Sequence, residues 1–188
     1  MVHYDFSGKT VLITGATGAL GRCVVRQFQQ VGATLALCAR NGETLHQLFA
    51  DIALDPQHLL IGDVDLTRPE DAERLHQSLA QRFGRLDIVV NTVGGFRSGP
   101  PVHETPVADW DLMMGMNVRS AFLLSRAVVS LLIAGGGGSM VHVGGRAGLV
   151  GFAGAGGYCA SKSALIRLVE VLSAELKPYR INVNCVLP

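Results

Sequence analysis

Six short runs rich in Val, Ile and Leu alternate along this chain with segments of helical period. The runs are Lys9–Thr14 (KTVLIT), Thr34–Ala39, Gln57–Gly62, Leu86–Asn91, Ser139–Val143 and Arg180–Val186. Helical patterns fill Gly21–Val31, Gly42–Ile52, Thr67–Phe83, Asp109–Ile133 and Tyr158–Leu176. Strands that alternate with helices pair in parallel through right-handed crossovers. Near-continuous apolar strands suit a sheet covered on both faces. The pattern predicts an α/β fold, an open doubly wound parallel sheet, in one domain over residues 1–188. Such a sheet takes ligands at the carboxyl ends of its strands, where strand order reverses. At finer grain, Thr67 is expected to cap its helix, with Glu70 completing a capping box.

Composition removes several other classes. The chain has 188 residues, 48% apolar and 16% charged, with a net charge of +1. That is enough apolar surface for a core without disulfides or metals, and too little charge for a disordered chain or a nucleic-acid-coating one. Ala127–Ala134, the most apolar stretch, falls short of the ~20 residues of a membrane span. Met1–Lys9 is polar and carries no signal-peptide pattern. Cys23, Cys38, Cys159 and Cys185 are scattered with no metal-ligand spacing, so no metal site is expected. The expected setting is cytoplasmic and reducing, with no nucleic-acid or membrane partner.

Three local patterns carry chemistry. The first strand ends in Thr14-Gly15-Ala16-Thr17-Gly18-Ala19-Leu20-Gly21, and a helix follows. Small residues let the backbone turn tightly against a pyrophosphate, and the helix N-terminus offers free N–H groups and a favourable dipole. The second strand ends in Ala39-Arg40-Asn41. An acid at such a place would hold a ribose 2′-hydroxyl, whereas a guanidinium suits a 2′-phosphate, so Arg40 favours NADP(H) over NAD(H). Tyr158 and Lys162 stand at i and i+4, on one helix face. A cation there stabilises phenolate, which makes a tyrosine usable as acid and base near neutral pH.

In this order the motifs resemble those of the short-chain dehydrogenase/reductase family, in its short, single-domain branch, and the resemblance covers essentially the whole chain. The family's TGxxx[AG]xG turn falls on Thr14, Gly15, Ala19 and Gly21, its NxxG motif on Asn91–Gly94, its long-helix Asn on Asn117, and its YxxxK pair on Tyr158 and Lys162. Gly15, Gly18 and Gly21 also satisfy the turn of a longer-chained branch, which the length disfavours. The resemblance implies a Rossmann-type fold and an oxidoreductase that interconverts a carbonyl and an alcohol by hydride transfer. It implies that Tyr158 is the acid/base, that Lys162 supports it and holds the ribose, and that Asn117 steadies a proton-relaying water chain. For the dinucleotide it implies Gly15, Thr17, Gly18, Ala19, Leu20 and Gly21 at the diphosphate. Arg40 and Thr17 would meet the 2′-phosphate, Asp63 and Val64 the adenine, Asn91 the sheet and cofactor, and Pro188 the nicotinamide side. A homodimer through helices 109–133 and 158–176 is also implied.

Two departures from the family pattern keep a second reading open. The family's catalytic serine precedes the tyrosine by thirteen positions, and here that position is Gly145. The loss of one preorganised donor costs roughly 10²–10³ in rate. The family also continues past Pro188 with a substrate-covering loop and a seventh strand, so six strands are expected here. The alternative is a nucleotide-binding, catalytically impaired subunit with a binding or regulatory role. The substrate wall is expected from loops 95–106 and 144–157. Glycine fills half of the fourteen positions in the second loop, which predicts mobility. Phe152 and Trp110 are candidates for an apolar wall. Arg97 and Arg146 are candidates to meet an anionic substrate group. His142 is expected to be packed inside its strand.

Overall fold

The computed structural model describes residues 4–188. The polar run read as lacking a signal peptide therefore lies partly outside the described residues. Six parallel strands form one sheet: β1 (Thr10–Thr14), β2 (Thr34–Cys38), β3 (Leu59–Ile61), β4 (Ile88–Asn91), β5 (Gly138–Val143) and β6 (Ile181–Val186). Their order is β3-β2-β1-β4-β5-β6. The chain runs outward from β1 to β3, then crosses back to lay β4 beside β1. Strand order reverses there, so a cleft opens at the carboxyl ends of β1 and β4.

Alternate strand residues feed two cores. Leu12, Ala36, Val89, Met140 and Val183 face α4 (Pro69–Phe83), α6 (Ser120–Ala134) and α7 (Gly156–Leu176). Val11, Ile13, Leu35, Leu37 and Val90 face α1 (Ala19–Gln30), α2 (Gly42–Leu48) and α3 (Ala50–Ala53). The second face is more open over β6, where Asn182 and Asn184 are exposed.

The structure corrects three expectations about helices. The segment expected as one helix over 42–52 breaks at Phe49 (φ −126°, ψ 37°), which buries its ring beneath the Arg26 guanidinium. The expected Thr67 cap is absent. α4 opens with Pro69, and Thr67 instead donates both N–H and Oγ1–H to Asp65 Oδ1, at 2.9 and 2.8 Å. This is an Asx turn, which competes with capping for the same groups, and Glu70 pairs with Arg68. The helix expected over 109–133 runs from α5 (Val107–Met114) into α6 through a π-helical turn, Gly115–Arg119. Val107–Ala134 is long and apolar enough to cross a membrane by length and composition, contrary to the sequence expectation. In the fold, 56% of its most apolar window is buried, as in a core helix.

Candidate active site

The turn after β1 builds the first part of the cleft. Gly15 takes φ +69°, and a Cβ there would lie 2.8 Å from Thr92 Oγ1. A side chain is excluded by conformation and by space. Gly18 then donates to Gly15 O at 2.9 Å, and α1 follows with no side-chain cap and no acid in its first turn. The first bond into the helix is Arg22 N–H to Gly18 O, which leaves the amides of Ala19 and Leu20 among the free donors at its positive end. Gly21 lets α1 close onto the turn, because a Cβ there would come 2.2 Å from Gly15 O. This uncapped, glycine-walled helix start fits a diphosphate.

The cleft has a volume of about 260 Å³. Of the expected cofactor residues, Gly15, Thr17, Gly18, Arg40 and Val64 line it. Ala19, Leu20 and Gly21 do not line it; they form the first turn of α1 behind Gly18. Asp63 does not line it. Its backbone is left-handed (φ 56°), and its carboxylate accepts the Gly42 N–H at 3.1 Å, turned to the start of α2. Asp65 and Leu66, two residues on, line the cleft instead. Burial opposes ionisation of Asp65, but the Thr67 amide and hydroxyl and the charges of Arg40 and Arg68 outweigh it. Its carboxyl is held below the usual range. Pro188 also lies off the cleft, exposed, with its carbonyl accepting the Arg146 N–H at 3.4 Å. Asn91 is buried in the sheet. Its Oδ1 accepts Thr14 Oγ1–H and Val93 N–H, at 2.8 and 3.1 Å.

The second part of the site gathers on α7 and the π turn. Lys162 is 5% exposed, and its Nζ donates to Val143 O at 2.9 Å. Nζ lies 5.9 Å from the Tyr158 ring centroid. Burial lowers the Lys162 pKa, with the nearby Cys185 thiol opposing. Asn117, 1% exposed, is locked within the π turn. Its Oδ1 accepts Gly95 N–H, and its Nδ2 donates to Gly95 O and Ser161 Oγ, each at 3.0 Å. A Cβ added to Gly94 would lie 2.9 Å from Asn117 Oδ1 and 3.4 Å from Lys162 Nζ, so both side chains border one small space. Phe96 stacks edge-on against Tyr158 with centroids 4.8 Å apart. The structure thus brings Asn117, Tyr158 and Lys162 to the end of the cleft nearest β5.

A short chain dehydrogenase family model matches residues 9–188. The chain belongs to the short-chain dehydrogenase family. It is 28% identical to the NAD-dependent glycerol dehydrogenase of Listeria innocua over 98% of this chain and 71% of that one. It is 30% identical to the D-threitol dehydrogenase of Mycolicibacterium smegmatis, covering 100% of this chain and 72% of that one. A Shigella flexneri 2a short chain dehydrogenase complexed with NADP superposes with a TM-score of 0.90 at 30% identity, over 100% of this chain and 79% of that one.

In this member of the short-chain dehydrogenase family each wall loop makes a hydrogen bond to its surroundings. Gly99 N–H donates to Gly154 O at 2.7 Å, and Ser163 Oγ–H to Gly148 O at 2.9 Å. Arg97 is paired with Asp109 and is not free for an anion. One row of side chains, buried except at its Cys185 end, was not read from the sequence. Strand register sets Cys38, Thr14, Asn91, His142 and Cys185 side by side across the sheet. His142 is fully buried, with Nδ1 3.1 Å from Asn91 Nδ2, and its Nε2 is the one buried side-chain polar atom without a partner among the described residues. Burial pushes its pKa down from 6.5 to about 4. The unfolded chain then takes a proton that the fold refuses, so stability is full above pH ~6.5 and is lost as pH falls towards ~4, by about 3 kcal/mol. Urea unfolding across that window is expected to show the loss, and His142→Asn to flatten it.

Proposed function

We propose that this chain is an NADP(H)-dependent oxidoreductase that interconverts a carbonyl and an alcohol, with Tyr158 as the acid/base. The observation that carries this reading is the burial of the Lys162 ammonium one helical turn from the Tyr158 phenol, at the end of a glycine-walled cleft. The bound nicotinamide dinucleotide supplies or accepts the hydride. Gly15, Thr17 and Gly18, with the amides of Ala19 and Leu20, hold the diphosphate. Val64 and Leu66 give the adenine an apolar seat beside Asp65. Tyr158 gives its proton to the carbonyl oxygen on reduction and takes it back on oxidation. Lys162 stabilises the phenolate left behind, and the space it shares with Asn117 suits a water that returns the proton. The names of two relatives, glycerol and D-threitol dehydrogenases, support an alcohol as the reduced partner.

Arg40 supports NADP(H), because it lines the cleft, as Asn41 and Thr17 do. The Asp65 carboxylate, which feels the Arg40 charge, works against a 2′-phosphate, and the NAD-dependence of the Listeria relative fits that opposing pull. Charge-assisted contacts of ~1.5–3 kcal/mol imply that Arg40→Leu weakens NADPH binding by about 10- to 100-fold while sparing NADH. Equal losses for both would contradict the role of Arg40.

The test of the reading is oxidation of NADPH, followed by absorbance, with a panel of ketones and aldehydes. Turnover supports the enzyme. Saturable binding with no turnover of any carbonyl supports the alternative, an impaired binding subunit, which Gly145 favours. The reading includes a homodimer through helices 109–133 and 158–176, where Leu112, Phe122, Ile133 and Val171 are exposed. Light scattering at the mass of two chains supports it, and a monomer at every concentration contradicts it. Four free thiols fit a reducing cytoplasm.

A further inference from the structure

Gly145 faces the Tyr158 phenol across a narrow space, which a side chain could enter only if the phenol shifts by a few tenths of an ångström. A Cβ built on Gly145 meets a single heavy atom within 4 Å, Tyr158 Oη at 3.2 Å. The backbone there is extended (φ 162°, ψ 154°), a conformation open to any residue. The main chain therefore does not demand glycine at this position, and the consequence of glycine is room beside the reacting oxygen. The Tyr158 ring packs edge-on against Phe96 with the Lys162 ammonium 5.9 Å from its centroid, and its Oη makes no hydrogen bond among the described residues. His142, the polar side chain two strand positions earlier from Gly144, is neutral, buried and bonded to Asn91, so it does not fill the gap.

A second hydroxyl in this space would donate to the oxyanion that develops on a reacting carbonyl, and among the described residues no side chain other than Tyr158 brings one within 4 Å of the Gly145 Cβ position. We propose that the substrate supplies it: the chain acts on α-hydroxy ketones and aldehydes, and on the matching vicinal diols, with the substrate's own hydroxyl seated against Gly145. This rests on the oxidoreductase reading above. In a syn O–C–C–O unit the two oxygens sit about 2.7 Å apart, within O–H···O range. During reduction the carbonyl carbon gains the hydride, the π pair moves onto the carbonyl oxygen, and Tyr158 gives that oxygen its proton. The neighbouring hydroxyl keeps its own proton throughout and only hydrogen-bonds the growing charge. The product is a vicinal diol, and the dinucleotide leaves oxidised. The exposed Phe96 ring, edge-on against Tyr158, makes an apolar substituent the preferred remainder of the substrate.

The test compares α-hydroxyacetophenone with α-methoxyacetophenone, which keeps the electron-withdrawing oxygen but cannot donate. The quantity is the ratio of their kcat/KM values in the native chain, in Gly145→Ser and in Gly145→Ala. A ratio taken within one protein cancels changes in folding and dinucleotide affinity. The ratio is expected to fall about 10- to 100-fold in Gly145→Ser, because the methoxy ketone gains the missing donor. It is also expected to fall in Gly145→Ala, because a methyl group occupies the hydroxyl's place. Calorimetric Kd values for the same two ketones, on protein saturated with oxidised dinucleotide, should lose their preference for the hydroxy compound in Gly145→Ala. Turnover with the same ratio in all three proteins overturns the proposal and leaves the oxidoreductase reading standing. Dinucleotide binding with no reduction of any carbonyl by any of the three overturns both.

Discussion

Tyr158→Phe is expected to lower kcat by about 10³-fold or more while leaving the Kd for the dinucleotide within a few-fold. The substitution removes one oxygen and keeps the ring. The edge-on contact with Phe96 and the placement of the Lys162 ammonium over the ring are therefore preserved. What is lost is the proton at the reacting oxygen, and a general acid contributes roughly 10²–10⁴. Because Gly145 brings no hydroxyl, Tyr158 Oη is the one side-chain hydroxyl among the described residues within 4 Å of the Gly145 Cβ position, so the loss should fall at the upper part of the range. Steady-state kinetics beside a binding titration separates the two effects. A variant that retains a tenth of native kcat would mean that the proton comes from elsewhere.

Gly21→Ala is expected to cost at least about 100-fold in dinucleotide affinity and to lower stability by about 1–3 kcal/mol. The added methyl would sit 2.2 Å from Gly15 O and 3.0 Å from Ala16 Cα, both backbone atoms of the turn. Neither can rotate away, so α1 must slide off β1, and overpacking of this kind costs in that range. The slide also moves the free amides at the start of α1 away from the place where the Gly15 turn would hold a diphosphate. Gly151→Ala is the control, since a Cβ there meets nothing within 4 Å. Thermal unfolding together with a titration on both variants reads the prediction. If Gly21→Ala binds and melts like Gly151→Ala, the close approach of α1 to the turn is not what forms the site.

The parts of this site that were legible in the sequence are the local ones. Gly15, Gly18 and Gly21 act within a single turn and the helix after it, and Tyr158 and Lys162 meet through helix geometry alone. The parts that were not legible depend on contacts distant in sequence. Asp63-Val64 and Asp65-Leu66 are tandem pairs of the same type. Asp63 leaves the cleft because its carboxylate caps Gly42, twenty-one positions away. The Asx turn of Asp65 with Thr67 then re-aims the segment and removes Thr67 as a helix cap. The π turn at Gly115–Arg119 leaves the apolar period of the long helix readable on both sides, so nothing in the pattern marks it. His142 was read as packed, yet its place beside Asn91 follows only from the strand order and register.

The cleft at the ends of β1 and β4 is the proposed dinucleotide site. The deciding measurement is a titration of the 188-residue chain with NADPH and with NADH, followed by nucleotide fluorescence. Saturable binding of both, tighter for NADPH and abolished by Gly21→Ala, is the predicted result. No saturable binding of either nucleotide by the folded chain would contradict it.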